Sequence, residues 1–82
     1  MNNLNFTIIS FYQFRKLLNL NRYKILLKEF CFFHKMRGTI LLAEEGINGT
    51  IAGFSNSSAL FEKKLKSLGF DNLELKYTYN KF

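Results

Sequence analysis

Apolar positions along this chain fall into blocks that switch between the two-residue period of a strand and the 3.6-residue period of a helix. Residues 6–12 (FTIISFY) are nearly continuously apolar and rich in β-branched and aromatic side chains, which predicts a central strand covered on at least one face. Residues 14–20 read as a connection, and Asn21 is placed to cap a helix running to about Met36. Leu26, Leu27, Phe30, Cys31 and Phe33 form its apolar stripe, with Arg22, Lys24, Lys28 and Lys35 opposite. Gly38 breaks that period, and residues 39–43 (TILLA) return to strand character. Residues 44–49 (EEGING) then predict a hairpin with a longer turn, because glycine and asparagine tolerate positive φ, before a strand resumes at residues 50–52.

Residues 55–58 (SNSS) are a cluster of N-cap residue types. Leu60, Phe61, Leu65 and Leu68 follow as one helical stripe against Glu62, Lys63, Lys64 and Lys66, and Gly69 stands at the favoured C′ position. Residues 73–79 (LELKYTY) alternate strictly, so Leu73, Leu75, Tyr77 and Tyr79 share one face of a half-exposed last strand. The order βαββαβ predicts an α+β domain of ferredoxin-like type, two helices on one face of a four-stranded antiparallel sheet. Residues 1–82 form a single domain on this reading, with residues 6–79 as its ordered core. Because the sequence stops right after its last strand, a longer parent protein is expected.

Composition narrows the class. At 82 residues a domain buries only about 60% of its unfolded surface, so the core must be dense, and 48% hydrophobic with 17% aromatic residues supplies it. A single cysteine, Cys31, excludes an intramolecular disulfide and a multi-cysteine zinc site, which fits a reducing, cytoplasmic setting. The N-terminus has no signal-peptide pattern, and charged residues cut the short apolar runs, so no membrane span is expected. A formal net charge of +6 favours a polyanionic partner, since cations that meet phosphates release condensed counterions. Solvated helix faces in a Lys-rich chain are the plainer reading of the same charge.

The candidate chemistry is sparse. Glu44 and Glu45 are adjacent, and neighbours on a strand point to opposite faces, so they suit turn solvation better than paired acid and base work. Cys31 and His34 have the helical spacing of a nucleophile and base, but the thiol falls on the apolar stripe, where its pKa rises. Asn48-Gly49-Thr50 and Asn56-Ser57-Ser58 match a glycosylation pattern that has meaning only in a secreted chain, and are read as turn and cap residues. The glycine turn lacks the Lys-Ser or Lys-Thr that completes a nucleotide-binding loop. No catalytic residue, metal ligand or cofactor is therefore assigned.

Residues 9–12 (ISFY) and the block 38–53 (GTILLAEEGINGTIAG) resemble the N-terminal, acylphosphatase-like domain of the rhodanese-like tRNA uridine hydroxylases, and the resemblance covers nearly the whole chain. Its marker is the turn that holds Glu45, Gly46, Asn48 and Gly49. The resemblance implies a non-catalytic domain that helps bind or position tRNA. In that family the catalytic cysteine belongs to a downstream rhodanese domain, which performs an oxygen-dependent hydroxylation of the wobble uridine, and Cys31 is not its equivalent. Lys28, Lys35, Arg37, Lys63, Lys64 and Lys66 become candidate phosphate contacts. Tyr77, Tyr79 and Phe82 are candidates for stacking on bases, with core packing or docking on the missing domain as the more ordinary use. A purely structural domain that packs on the rhodanese domain is the alternative. The fold also resembles acylphosphatase, with Arg15 at the end of the loop after the first strand. Yet residues 10–14 (SFYQF) contain no glycine, and the place of that enzyme's asparagine falls on Glu45, whose charge would repel a phosphate.

Overall fold

The computed structural model describes residues 5–81. Its elements are β1 (Asn5–Phe14), α1 (Leu20–Phe33), β2 (Arg37–Ala43), β3 (Gly46–Phe54), α2 (Ser55–Ser67) and β4 (Glu74–Lys81). The four strands form one antiparallel sheet in the order β2-β3-β1-β4, with β1 in the interior as its sequence predicts. This is the expected α+β, ferredoxin-like arrangement, and β2 and β4 are the sheet edges.

Alternation on β1 decides which face is covered. Thr7, Ile9, Phe11 and Gln13 are buried while their neighbours are not, so one face meets the helices and the other is open. Ile47 and Ile51 of β3 join that core with Leu27 of α1 and Phe61 and Leu65 of α2. An aromatic series ties the layers together, Phe11 to Phe61 at 5.3 Å and Phe61 to Phe30 at 5.7 Å between ring centroids. Residues paired across antiparallel strands point the same way, so Tyr12, Phe14, Leu41, Asn48 and Thr50 share the open face.

Several expected details differ. The helix stripe of α1 is Leu20, Tyr23, Leu27, Phe30 and Cys31, and Phe33 is 79% exposed, because residue 33 lies about 120° around the helix from Leu27. On α2 the buried set is Ser58, Phe61 and Leu65, and Leu60 is 45% exposed. Asn19, in the left-handed region, takes the N-cap position expected of Asn21, without a side-chain cap bond. The helix stops at Phe33 instead of near Met36, and Gly38 lies within β2.

The hairpin is also tighter than its glycines suggest. Only Glu44 and Glu45 connect β2 to β3, and Asn48 and Gly49 are paired strand residues opposite Leu41 and Ile40. Gly46 starts β3 at φ 153°, with the Gln13 carbonyl oxygen in the space a side chain would occupy. Gly49 leaves room for the Phe11 ring. Those residues read as turn formers, but their smallness serves strand packing.

Finally, the SNSS cluster does not cap α2. Phe54 is the N-cap and makes no side-chain cap bond. Ser55 Oγ instead lies 2.6 Å from Thr7 Oγ1 and donates to the Asn5 carbonyl at 3.2 Å, and the buried Ser58 hydroxyl faces the Thr7 carbonyl. The hydroxyls fasten α2 to β1.

Candidate functional site

A groove of about 300 Å³ runs between α1 and the edge strand β2. Its position follows from helix geometry. Taking Leu27 as the residue that faces the sheet, Cys31, Lys24 and Lys28 follow at about 40°, 60° and 100° around the same flank. That flank overhangs β2. Leu27, Cys31, Met36, Ile40, Leu42 and Ile51 form an apolar floor, Lys24, Lys28 and Arg37 contribute three cationic residues, and no carboxylate among the described residues lines the groove.

Within that floor Cys31 is half-buried, and burial pushes its thiol pKa up. Phe30 packs on the ring of His34 at 4.2 Å with a 34° tilt, and Phe33 meets the same ring edge-on at 5.1 Å. The structure thus gives His34 an aromatic setting, and the raised thiol is a poor nucleophile.

The six cations singled out from the sequence do not form one patch. Lys28 and Arg37 share the groove. Lys35 is the residue after the α1 C-cap, and Lys64 borders a separate depression with Phe30, Phe33 and His34. Lys66 pairs with Glu62 at 3.0 Å, and Lys63 is exposed on α2. Lys24 is the member of the groove that charge counting passed over as a binding candidate. Its signal was present as the four-residue spacing from Lys28, which sets both on one helix flank.

Tyr77 is held in the fold. It packs against the core, and its hydroxyl donates to the Glu62 carboxylate. Burial first, and then Glu62, raise the Tyr77 pKa above the ordinary tyrosine value; the hydrogen bond from Tyr77, and then Lys66, lower that of Glu62. Tyr79 is 68% exposed and stacks on Tyr77 at 6.1 Å. Phe82 lies outside the described residues.

The loop after β1 does not form an anion cradle. The backbone N–H of Arg15 donates to the Glu45 carbonyl at 2.8 Å, and that of Leu17 to the Glu44 carbonyl at 2.9 Å. The marker turn thus consumes the two amides a phosphate would need. The Arg15 guanidinium lies over the Phe70 ring at 5.3 Å and against Gly69. Lys16, Glu44 and Glu45 line the depression beside the turn with Phe14, so two carboxylates face whatever enters it.

Comparison with known proteins agrees with the fold. Residues 6–82 match the family described as the UPF0176 acylphosphatase like domain. The chain is 38% identical over 78 residues to the tRNA uridine(34) hydroxylase of Ehrlichia ruminantium, covering 95% of the chain and 28% of that protein. It is 37% identical over 83 residues to the protein of the same name from Brucella ovis, covering 96% of the chain and 26% of the relative. The corresponding protein of Pelagibacter ubique is 40% identical over 63 residues, which is 77% of the chain and 21% of the relative. The chain thus spans less than a third of the length of these relatives.

Proposed function

The chain belongs to the family of UPF0176 acylphosphatase-like domains, and on that premise we propose that it is the non-catalytic N-terminal domain of a tRNA uridine hydroxylase. In this reading a downstream rhodanese domain of the same polypeptide performs the oxygen-dependent 5-hydroxylation of the wobble uridine in the cytoplasm. The present domain helps to bind or position the tRNA. One observation carries the RNA-binding part: Lys24, Lys28 and Arg37 gather around a groove that no carboxylate among the described residues lines.

The test is titration of the chain with tRNA across a salt series. Affinity at low ionic strength that falls steeply as salt rises, and that weakens in a Lys24→Glu/Lys28→Glu variant, is the expected result. No affinity at low salt, or affinity indifferent to salt, overturns it. The second reading, a structural domain that packs on the rhodanese domain and touches no RNA, draws on the open sheet face. There Phe14 and Leu41 are well exposed beside Tyr12.

A further inference from the structure

Among the described residues the basic groove unites a charged rim, an apolar floor and an unpaired strand edge. Lys24 and Lys28 stand one turn apart on α1, a rise of about 6 Å, so their ammonium groups address a short stretch of backbone and not a broad charged surface. The floor is aliphatic and sulfur-bearing, built by Leu27, Cys31, Met36, Ile40, Leu42 and Ile51. Beside it, β2 pairs with β3 on one side only, which leaves main-chain donors and acceptors of its outer edge available at the groove wall. At about 300 Å³ the space is at the small end of ligand sites and does not admit an α-helix, which is about 10 Å across with its side chains.

We propose that this groove holds one unstacked nucleotide of a single-stranded RNA segment, its phosphate against Lys24 and Lys28 and its base over the apolar floor. This deepens the RNA-binding reading above and rests on it. Duplex RNA buries its base faces by stacking, whereas a loop or single strand presents a base that can be splayed into such a space. The phosphate then fixes position, and the β2 backbone edge offers hydrogen bonds to the edge of the base. An extended acidic peptide pairing with β2 has similar charge and is the competing occupant for the test to separate.

Cys31, the chain's single cysteine, lies in the floor and provides the readout. Its alkylation by iodoacetamide at mildly alkaline pH is followed by intact mass, while binding is followed separately by fluorescence anisotropy. The probes are hexauridylate, an RNA duplex of the same length, and a peptide of alternating Glu and Leu. Hexauridylate at about ten times its Kd is expected to slow alkylation about tenfold, since only the unoccupied groove reacts. The duplex and the peptide leave the rate unchanged, and a Lys24→Ala/Lys28→Ala variant with unaltered circular dichroism loses the protection.

Hexauridylate binding without protection of Cys31 overturns the groove assignment while leaving RNA binding by the domain intact. Equal protection by the duplex overturns the single nucleotide, and protection by the peptide alone overturns RNA in favour of a protein segment. If neither hexauridylate nor tRNA binds at low salt, both this inference and the reading beneath it fall.

Discussion

Gly49 has no room for a side chain, since a Cβ there would stand 2.5 Å from the Thr39 carbonyl oxygen and 2.7 Å from Phe11 Cζ. One neighbour is backbone and the other a buried ring, so neither yields cheaply. Gly49→Ala is expected to cost about 2 kcal/mol, read as a lower urea midpoint at constant m-value. Gly53→Ala meets only the flexible Met36 side chain, at 3.0 Å, and should cost less than about 1 kcal/mol. A second residue-scale test concerns Tyr77 and Glu62. The lowered Glu62 pKa gives stability that is complete above the usual carboxylate range and is lost as pH falls through the folded value. Raised instead, the Tyr77 pKa gives stability that is complete below about pH 10 and is lost as pH rises beyond it. Tyr77→Phe should cost about 1 kcal/mol at neutral pH and flatten stability against pH on both limbs, in denaturant titrations from acid to alkaline conditions.

Both helices stop by the same device. At the end of α2, Gly69 at φ 98° follows the Leu68 C-cap, with its N–H on the Lys66 carbonyl and the Phe70 N–H on Leu65. At the end of α1, Lys35 at φ 56° takes the glycine's place, with its N–H on Phe32 and the Met36 N–H on Cys31. A side chain in that region is strained, so Lys35→Gly should raise stability by about 1 kcal/mol, measured by thermal or urea unfolding. This contrast explains what the sequence made legible. Gly69 was readable as a stop, and the β4 alternation and element order followed from periodicity, because burial on one face sets it. The stop at Lys35 was not readable, since lysine carries no preference for left-handed backbone. Nor was the short turn, because glycine in a strand looks like glycine in a loop until its neighbour, here Phe11, is known. The SNSS cluster divides in the same way: Ser55→Ala, which loses its contacts to Thr7 and Asn5, should cost about 1 kcal/mol, and Asn56→Ala at an exposed position less than about 0.5.

Across the whole molecule, charge is distributed by element and not evenly. The helices carry Arg22, Lys24, Lys28, Lys63, Lys64 and Lys66 against Glu29 and Glu62, with Lys35 just past the end of α1, while the β2-β3 turn carries Glu44 and Glu45. An approaching polyanion is therefore steered to the helix layer in preference to the turn, where Glu44 and Glu45 outweigh Lys16 at the end where an acylphosphatase-type site would lie. Net charge, the basic helices and the acidic turn were legible from the sequence, but the gathering of Lys24 and Lys28 with Arg37 was not, because it depends on which flank of α1 overhangs β2. The groove lysines are distinguishable from the rest by their thermodynamic signature. For a single strand, each phosphate neutralised contributes about 0.7 to the slope of log affinity against log salt, so Lys24→Ala/Lys28→Ala, which frees the one phosphate the two lysines share, should flatten the slope by about 0.7. Lys63→Ala should leave it unchanged, because Lys63 is exposed on α2 outside the groove. Equal flattening by both would mean that RNA samples the helix layer as diffuse charge, and anisotropy titrations at four or five salt concentrations decide between the two.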